Sequence, residues 1–153
     1  MQSARIWFKR GQQPFDLLRL KEFLEASGLT VRNTEWQLQS YIVPQLHIAT
    51  EQPFLIQLND DEYVDEEAEE FSEWHKNDLA PETFLKLNEC NVRFEIGDGN
   101  DTVLTTSEGI FSFVGQTSLD PSLPEMRRIF ISITEAVDGV FEDNVNGFWW
   151  YKR

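Results

Sequence analysis

The chain is poor in the residues that build metal and redox sites. Its 153 residues include one cysteine, Cys90, and two histidines, His47 and His75. A single cysteine excludes a disulfide within these residues and is typical of a reducing compartment. Zinc sites need three or four clustered ligands, which this sequence does not supply. We therefore expect no metal site and no cofactor, and we interpret Cys90 as a buried, inert thiol.

Long apolar runs are also missing. No stretch approaches the length of a membrane span. The first residues, MQSARIWFKRG, contain no apolar segment like that of a signal peptide. Together with the single cysteine, these absences predict a cytoplasmic protein.

Basic side chains are scarce, with 13 Lys and Arg against 27 Asp and Glu and a net charge of −14. This balance argues against direct nucleic-acid binding, which needs cations for the phosphates, and against adhesion to an anionic membrane. The charge is uneven: residues 1–50 hold six basic and four acidic side chains, and residues 51–153 hold seven and twenty-three. A field of this kind can steer a basic partner.

Aromatic and aliphatic residues, in contrast, are plentiful. The chain is 41% apolar, with five Trp and twelve Phe, which is enough for the core of one domain spanning residues 1–153. The order of the apolar patterns predicts an α+β fold. We expect a mostly antiparallel sheet of split-βαβ (ferredoxin-like) order with helices on one face, extended by a carboxy-terminal helix and hairpin.

Local patterns place the elements. Alternation predicts strands, and helical spacing predicts helices; the expected strands and helices cover residues 4–9, 15–26, 29–48, 54–58, 60–77, 81–89 and 91–96. The spacing of Ser122 and Glu125 is that of a capping box, so the last helix should start there, and Gly139 should end it. Asn146 and Gly147 are a favoured hairpin pair.

The stretch at residues 60–73, DDEYVDEEAEEFSE, is the most unusual feature. Nine of its fourteen residues are carboxylates and none is basic. Val64, Ala68 and Phe71 nevertheless form one apolar stripe at helical period, which Trp74 and His75 extend. We expect an amphipathic helix that docks on the core and presents carboxylates outward.

The outward carboxylates are the candidate partner-binding residues: Asp65, Glu66, Glu67, Glu69, Glu70 and Glu73. One interpretation is a solvated face that keeps the protein soluble. The functional hypothesis is a non-catalytic protein that docks on a basic protein surface, such as an inhibitor or toxin-immunity-type protein. Arg127 and Arg128 are candidates to pair with this acidic surface.

Two alternatives stay open. The first is a small-ligand binder or enzyme with a pocket between sheet and helices, although no catalytic motif is recognisable and we predict no catalytic residues. The second is a structural subunit or homodimer built through the aromatic strand FWWY at residues 148–151. The competing interpretation of this strand is that both of its faces are buried within the fold. The GDGNDTV stretch at residues 97–103 resembles one calcium-binding nonapeptide repeat, but that motif needs stacked copies. We predict a polar turn there.

Overall fold

A computed structural model describes residues 3–11, 15–38, 40–99, 102–105, 111–114 and 119–152. The elements, in chain order, are β1 (Ala4–Phe8), α1 (Leu17–Ala26), β2 (Thr30–Leu38), β3 (Tyr41–Ala49), β4 (Phe54–Asn59), α2 (Val64–Trp74), α3 (Pro81–Asn88), β5 (Val92–Asp98), β6 (Thr102–Thr105), β7 (Phe111–Val114), α4 (Pro124–Val137), β8 (Val140–Asp143) and β9 (Phe148–Tyr151).

Seven strands form one sheet in the order β2-β3-β4-β5-β1-β8-β9, and β6 pairs with β7 in a separate two-stranded sheet. Each of the seven-stranded sheet's ladders is antiparallel. The predicted α+β class with an antiparallel sheet is confirmed, including the carboxy-terminal helix and hairpin. Among the described residues, no helix has both the length and the apolar character that crossing a bilayer requires.

The helices cover both faces of the sheet, so the expectation that they share one face is wrong. In β1, Ile6 and Phe8 belong to a core cluster that also contains buried residues of α1 and α4. Trp7, between them, belongs to a second cluster with Val64 of α2 and Leu87 of α3. Successive residues of a strand point to opposite faces, so two cores lie back to back across β1.

The face under α1 and α4, which we call the apolar face, is a conventional hydrophobic core. The Phe130 ring of α4 lies 5.1 Å from that of Phe54 and 5.8 Å from that of Phe141, measured between ring centroids. All three side chains are fully buried. Aromatic pairs at such distances add to the free energy gained by burying their area.

The ends of α1 agree with the sequence pattern. The helix begins after Asp16, whose carboxylate accepts a hydrogen bond from the Arg19 N–H at 2.9 Å and so satisfies one free donor of the first turn. It ends before Gly28, which has φ +90°, a conformation that favours glycine.

The ends of α4 differ from the prediction. The helix begins at Pro124, but the Ser122 hydroxyl donates to Asp120 at 2.6 Å instead of capping the helix. At the other end Asp138, and not Gly139, takes the left-handed conformation. Glycine is required at position 139 for a different reason, because a Cβ there would lie 2.3 Å from the Trp7 carbonyl oxygen.

The polar turn predicted for residues 97–103 begins later than expected. Gly97 and Asp98 complete β5, where they pair with Leu55 and Phe54 of β4. Pairing across the ladder therefore overrides the local preference of Gly and Asp for turns. Gly99 follows, and its N–H donates to the Pro53 carbonyl at 2.8 Å; residues 100 and 101 lie outside the described residues.

Two further sequence features, the glycine at position 147 and the proline at position 44, agree with the structure. Gly147 has φ +67° and turns the chain between β8 and β9, as the hairpin prediction requires. Pro44 lies in the part of β3 that pairs with β2 but extends beyond the ladder with β4, which spans residues 46–48 of β3. A proline suits such a locally unpaired edge.

Candidate protein-docking surface

The face under α2 and α3 contains buried charge, and we call it the charged face. Arg5 of β1 is opposite Glu95 of β5 on one side and Glu142 of β8 on the other. Its Nε lies 3.3 Å from Glu95 Oε1 and its Nη1 lies 3.3 Å from Glu142 Oε2. Trp7 Nε1 also donates to Glu142, at 3.0 Å. These groups are hydrogen-bonded because an unpaired buried charge would be strongly destabilising.

A second arginine links this buried group to the acidic helix. Arg93 of β5 forms ion pairs with Glu95 and with Glu67 of α2, and its guanidinium carbon lies 5.0 Å from the Trp7 ring centroid. Burial alone would lower the pKa of Arg93, but the charges of Glu95 and Glu67 raise it above its ordinary value. The guanidinium therefore stays protonated and fixes Glu67 in place.

The helix α2 rests on this charged face through a narrow strip. Val64, Ala68 and Ser72 are buried, and Phe71 covers Arg5, with 5.0 Å between the guanidinium carbon and the ring centroid. The same ring lies 5.3 Å from the Trp7 ring. Position and rotation of α2 are thus set by one aromatic ring, a few small buried residues and one ion pair rather than by a broad apolar stripe.

The structure separates the six candidate partner-binding carboxylates into two groups. Glu67 faces Arg93 and is half-buried, so it contributes to the seat of the helix. The other five are exposed: Asp65, Glu66, Glu69, Glu70 and Glu73. The sequence contained the signal for Glu67, since it follows Val64 by three residues and precedes Phe71 by four, which places it on the stripe side of the helix.

The exposed carboxylates are mostly not neutralised. Glu73 lies 3.5 Å from the Lys76 amine. Within the described part of the chain, no Lys or Arg forms an ion pair with the remaining four, Asp65, Glu66, Glu69 and Glu70. We call these four the outer face of α2. Arg127 pairs instead with Asp143 of β8, at 3.2 Å.

A recess of about 290 Å³ lies where the chain enters α2. The helix begins at Val64, later than the predicted start at Asp60. The lining residues are Arg10, Asp60, Asp61, Glu62, Asp65 and Asn91. Arg10 forms part of its wall, with Nη2 2.6 Å from Asp60 Oδ2. The wall of the recess therefore already contains one ion pair between a guanidinium and a carboxylate.

The other end of α2 is apolar and exposed. Trp74 is 69% exposed, so the prediction that it extends the buried stripe is wrong. It is the last residue of α2, and its ring lies 5.4 Å from that of Phe71, measured between centroids. His75 turns inward, 5.2 Å from the Trp149 ring. Nearby in the chain, Leu85 of α3 is 66% exposed and lines a groove of about 430 Å³ with Leu79 and Phe84 among others.

The strand β9 is the last strand of the sheet, and all four of its residues are half-buried. Phe148 and Trp150 pack against the apolar core, and Trp149 and Tyr151 pack against the core of the charged face. Aromatic side chains therefore occupy both faces as predicted, but the prediction that the strand is buried on both faces is confirmed only in part, since each side chain is half-buried. A groove of about 620 Å³ runs along β9, between it and residues 78–83.

Two further residues considered in the sequence analysis, Cys90 and His47, do not lie on the outer face of α2. Cys90 is buried, as predicted, and burial raises the pKa of its thiol to about 12, which makes it a poor nucleophile. His47 lies on β3, where burial and Arg32 lower its pKa. Within the described ranges, no three His, Cys, Asp or Glu side chains are grouped so that they could hold a metal ion.

The chain matches no known protein-family model, no curated protein and no solved structure. The case for a function therefore rests on the chemistry of the surface described above.

Proposed function

We propose that the protein is a non-catalytic binding protein that docks, through the outer face of α2, on a basic surface of another protein. The observation that carries this proposal is the set of four exposed carboxylates without cationic partners among the described residues, at positions 65, 66, 69 and 70 of one helix. Carboxylates held on one rigid element produce a directed field, which speeds association with a cationic partner.

The recess at the start of α2 supports a basic partner. Arg10 forms an ion pair with Asp60 at this recess. Three further carboxylates, Asp61, Glu62 and Asp65, line the same recess. An arginine or lysine of the partner would gain charge-assisted hydrogen bonds there, which are roughly twice as strong as neutral ones.

Apolar anchors at the other end of α2 complement the charges. Trp74 and Leu85 are both more than half exposed, and exposed tryptophans are common interface hot spots. A concrete version of the proposal is an inhibitor or immunity-type protein that covers the substrate or nucleic-acid cleft of a cationic enzyme. Trp74 would enter an apolar part of the cleft, and the carboxylates would contact its basic rim.

The test compares two variants that lose the same charge at different places. The first is Asp65→Asn, Glu66→Gln, Glu69→Gln and Glu70→Gln, on the outer face of α2. The matched control neutralises four exposed carboxylates of α1 and α4: Glu22→Gln, Glu25→Gln, Glu125→Gln and Glu135→Gln. Wild type and both variants are used to capture proteins from a lysate at low and at high salt, and the captured proteins are identified.

We expect wild type and control to retain the same basic protein at low salt, and the outer-face variant to lose it. High salt should release it from all of them, because screening shortens the range of the charges to a few ångströms. If the captured protein is an enzyme, a stoichiometric amount of wild type should reduce its activity. Equal capture by all three chains, or capture of no basic protein, would refute the proposal.

A further inference from the structure

The groove beside β9 follows the edge of this strand and not one of its faces. Its lining includes five consecutive residues, 148–152, together with residues 78–80 and Thr83. Successive residues of a strand point to opposite faces, so a groove that touches all of them runs beside the backbone. In the described part of the chain, β9 pairs with β8 alone. The backbone groups on the outer side of β9 therefore border the groove without a partner strand.

These backbone groups form a regular row. In an antiparallel pair, alternate residues direct both N–H and C=O toward the same neighbour. Two of the four residues of β9 therefore direct both groups to β8, and the other two direct both groups into the groove. Another extended backbone matches such a row, which is the basis of strand addition at sheet edges. At about 3.4 Å per residue, the row is about 14 Å long.

The opposite wall of the groove supplies a polar atom that has no partner in the described part of the fold. Thr83 of α3 lines the groove and is 8% exposed, and its hydroxyl forms no hydrogen bond with the described residues. Thr134 of α4, which is also buried, donates instead to the Phe130 carbonyl at 2.7 Å. A buried hydroxyl without a partner is destabilising. Thr83 therefore indicates a polar ligand in this groove.

The two ends of the groove differ in charge. Asp78 is 71% exposed, and its carboxylate lies 3.8 Å from His75 Nδ1. The His75 ring lies 5.2 Å from the ring of Trp149, so Asp78 lies near the start of β9. Lys152 follows Tyr151 at the other end, and it forms no ion pair with the described residues. A strand bound along β9 therefore meets a carboxylate near one end and an amine roughly 10 Å farther along.

We propose that this groove binds an extended segment of another protein, which adds to the sheet as a strand beside β9. Residues opposite each other in neighbouring strands point to the same face, so the residue opposite Trp149 points toward Asp78, and it should be a lysine or arginine. The β9 strand of a second copy, FWWY, carries no cation for Asp78, which favours a segment of different sequence.

The second position of the segment that faces α3 is opposite Tyr151. We expect an apolar residue there, because Leu79 and Ala80 line the same groove and Tyr151 packs against the core of the charged face. Main-chain hydrogen bonds would supply affinity, and these two alternate side chains would supply specificity. This surface is separate from the outer face of α2, so the inference does not depend on the proposed function.

Random octapeptides displayed on phage are the probe for this segment. The bait is the quadruple variant that neutralises the outer face of α2, so that this surface does not select basic peptides. We expect the selected peptides to share a lysine or arginine two positions from an apolar residue. Synthetic copies of them should bind wild type and bait with similar affinity.

N-methylation distinguishes strand addition from other modes of binding. In an added strand, alternate residues direct their N–H groups to β9. Methylating the amides on that side should lower the affinity by about tenfold or more, and methylating the intervening amides should change it little. Asp78→Asn should lower the affinity severalfold. Glu22→Gln, at an exposed position of α1, removes the same charge elsewhere and should not.

Three results would overturn the proposal. They are a selection that enriches no peptide, an equal loss of affinity for the two sets of methylated amides, and an affinity for Asp78→Asn no lower than for Glu22→Gln. The proposed function fails on different evidence, namely the capture of a basic protein through the outer face of α2, which the bait lacks.

Discussion

The two faces of the seven-stranded sheet place different chemistry on the same strands. On the apolar face, β1 contributes Ala4, Ile6 and Phe8 to a hydrophobic cluster. On the charged face, the intervening Arg5 is buried between two carboxylates. Burial of apolar area is tolerant of small shifts in packing, whereas a buried ion pair requires each partner at a defined position. We infer that the apolar face supplies most of the stability and that the charged face positions α2.

The largest effect is expected on the apolar face. Phe130→Ala removes a fully buried ring that contacts Phe54 and Phe141, and we expect it to lower the free energy of unfolding by about 3–5 kcal/mol. Urea titration followed by tryptophan fluorescence measures the loss. Arg128→Ala, at an exposed position of the same helix, should change it by less than about 0.5 kcal/mol. Similar losses for the two variants would show that α4 does not pack as described.

The second prediction concerns Arg5. Arg5→Met should cost about 3 kcal/mol, because it leaves the buried Glu95 and Glu142 short of a cation. Adding Glu142→Gln should restore at least half of that loss, since it removes one uncompensated charge and keeps an acceptor for Trp7 Nε1. The four chains of this double-mutant cycle are compared by urea titration. If the losses simply add, Arg5 and Glu142 are not coupled and the charged face does not act as a network.

The third prediction uses Cys90, which belongs to the core of the charged face. Burial raises the pKa of its thiol from 9.0 to about 12, so the folded protein holds this proton more tightly than the unfolded chain. The stabilisation is complete below pH 9 and is lost as the pH rises from 9 toward 12. The free energy of unfolding should therefore fall in that range, by up to about 1.4 kcal/mol per pH unit from this group.

Other groups titrate in the same range, so the measurement is the difference between wild type and Cys90→Ala. The alkaline loss should be smaller in the variant, and the difference between the two chains should grow from about pH 8.5 to about pH 10.5. Parallel curves would mean that the thiol is reached by solvent in the folded protein.

Local patterns were sufficient for most of the fold. Alternation in β1 places Ile6 and Phe8 on one side and Trp7 on the other, and helical spacing locates α2. The burial of Arg5 had no local signal, since one arginine in a strand normally lies on the surface, and its partners are 90 and 137 residues away in the chain. The apolar side chains Trp7, Trp149 and Tyr151 did indicate that the second face is covered, but the charged network beneath α2 had no such signal.

The candidate site was predictable to a similar extent. The carboxylates of α2 are visible in the sequence, and four of them, Asp65, Glu66, Glu69 and Glu70, are exposed without a described cationic partner. Helical spacing places Glu67 on the stripe side of α2, but its partner Arg93 lies 26 residues away in the chain. Only the sheet register shows that Arg93 lies beneath the helix.

The smallest expected effect on stability comes from Glu67, and it distinguishes this carboxylate from the exposed carboxylates of α2. Glu67→Gln should lower the free energy of unfolding by about 0.5–1 kcal/mol, because it weakens the contact with Arg93; the value is modest since Glu67 is 37% exposed and partly screened by water. Glu66→Gln, one residue earlier and fully on the outer face, should change stability by less than about 0.3 kcal/mol, since it also relieves repulsion between like charges.

The same pair of variants shows whether Glu67 holds α2 against the sheet or only contributes surface charge. Loosening α2 should expose Cys90, so the rate at which a thiol reagent modifies Cys90 under native conditions should rise in Glu67→Gln and stay at the wild-type value in Glu66→Gln. Both substitutions remove one negative charge, so a change in the attraction of a charged reagent would affect them equally. Equal rates of Cys90 modification in the two variants would mean that Glu67 contributes no more to holding α2 than the exposed carboxylates do. The position of α2 would then depend on Phe71 and the small buried residues alone.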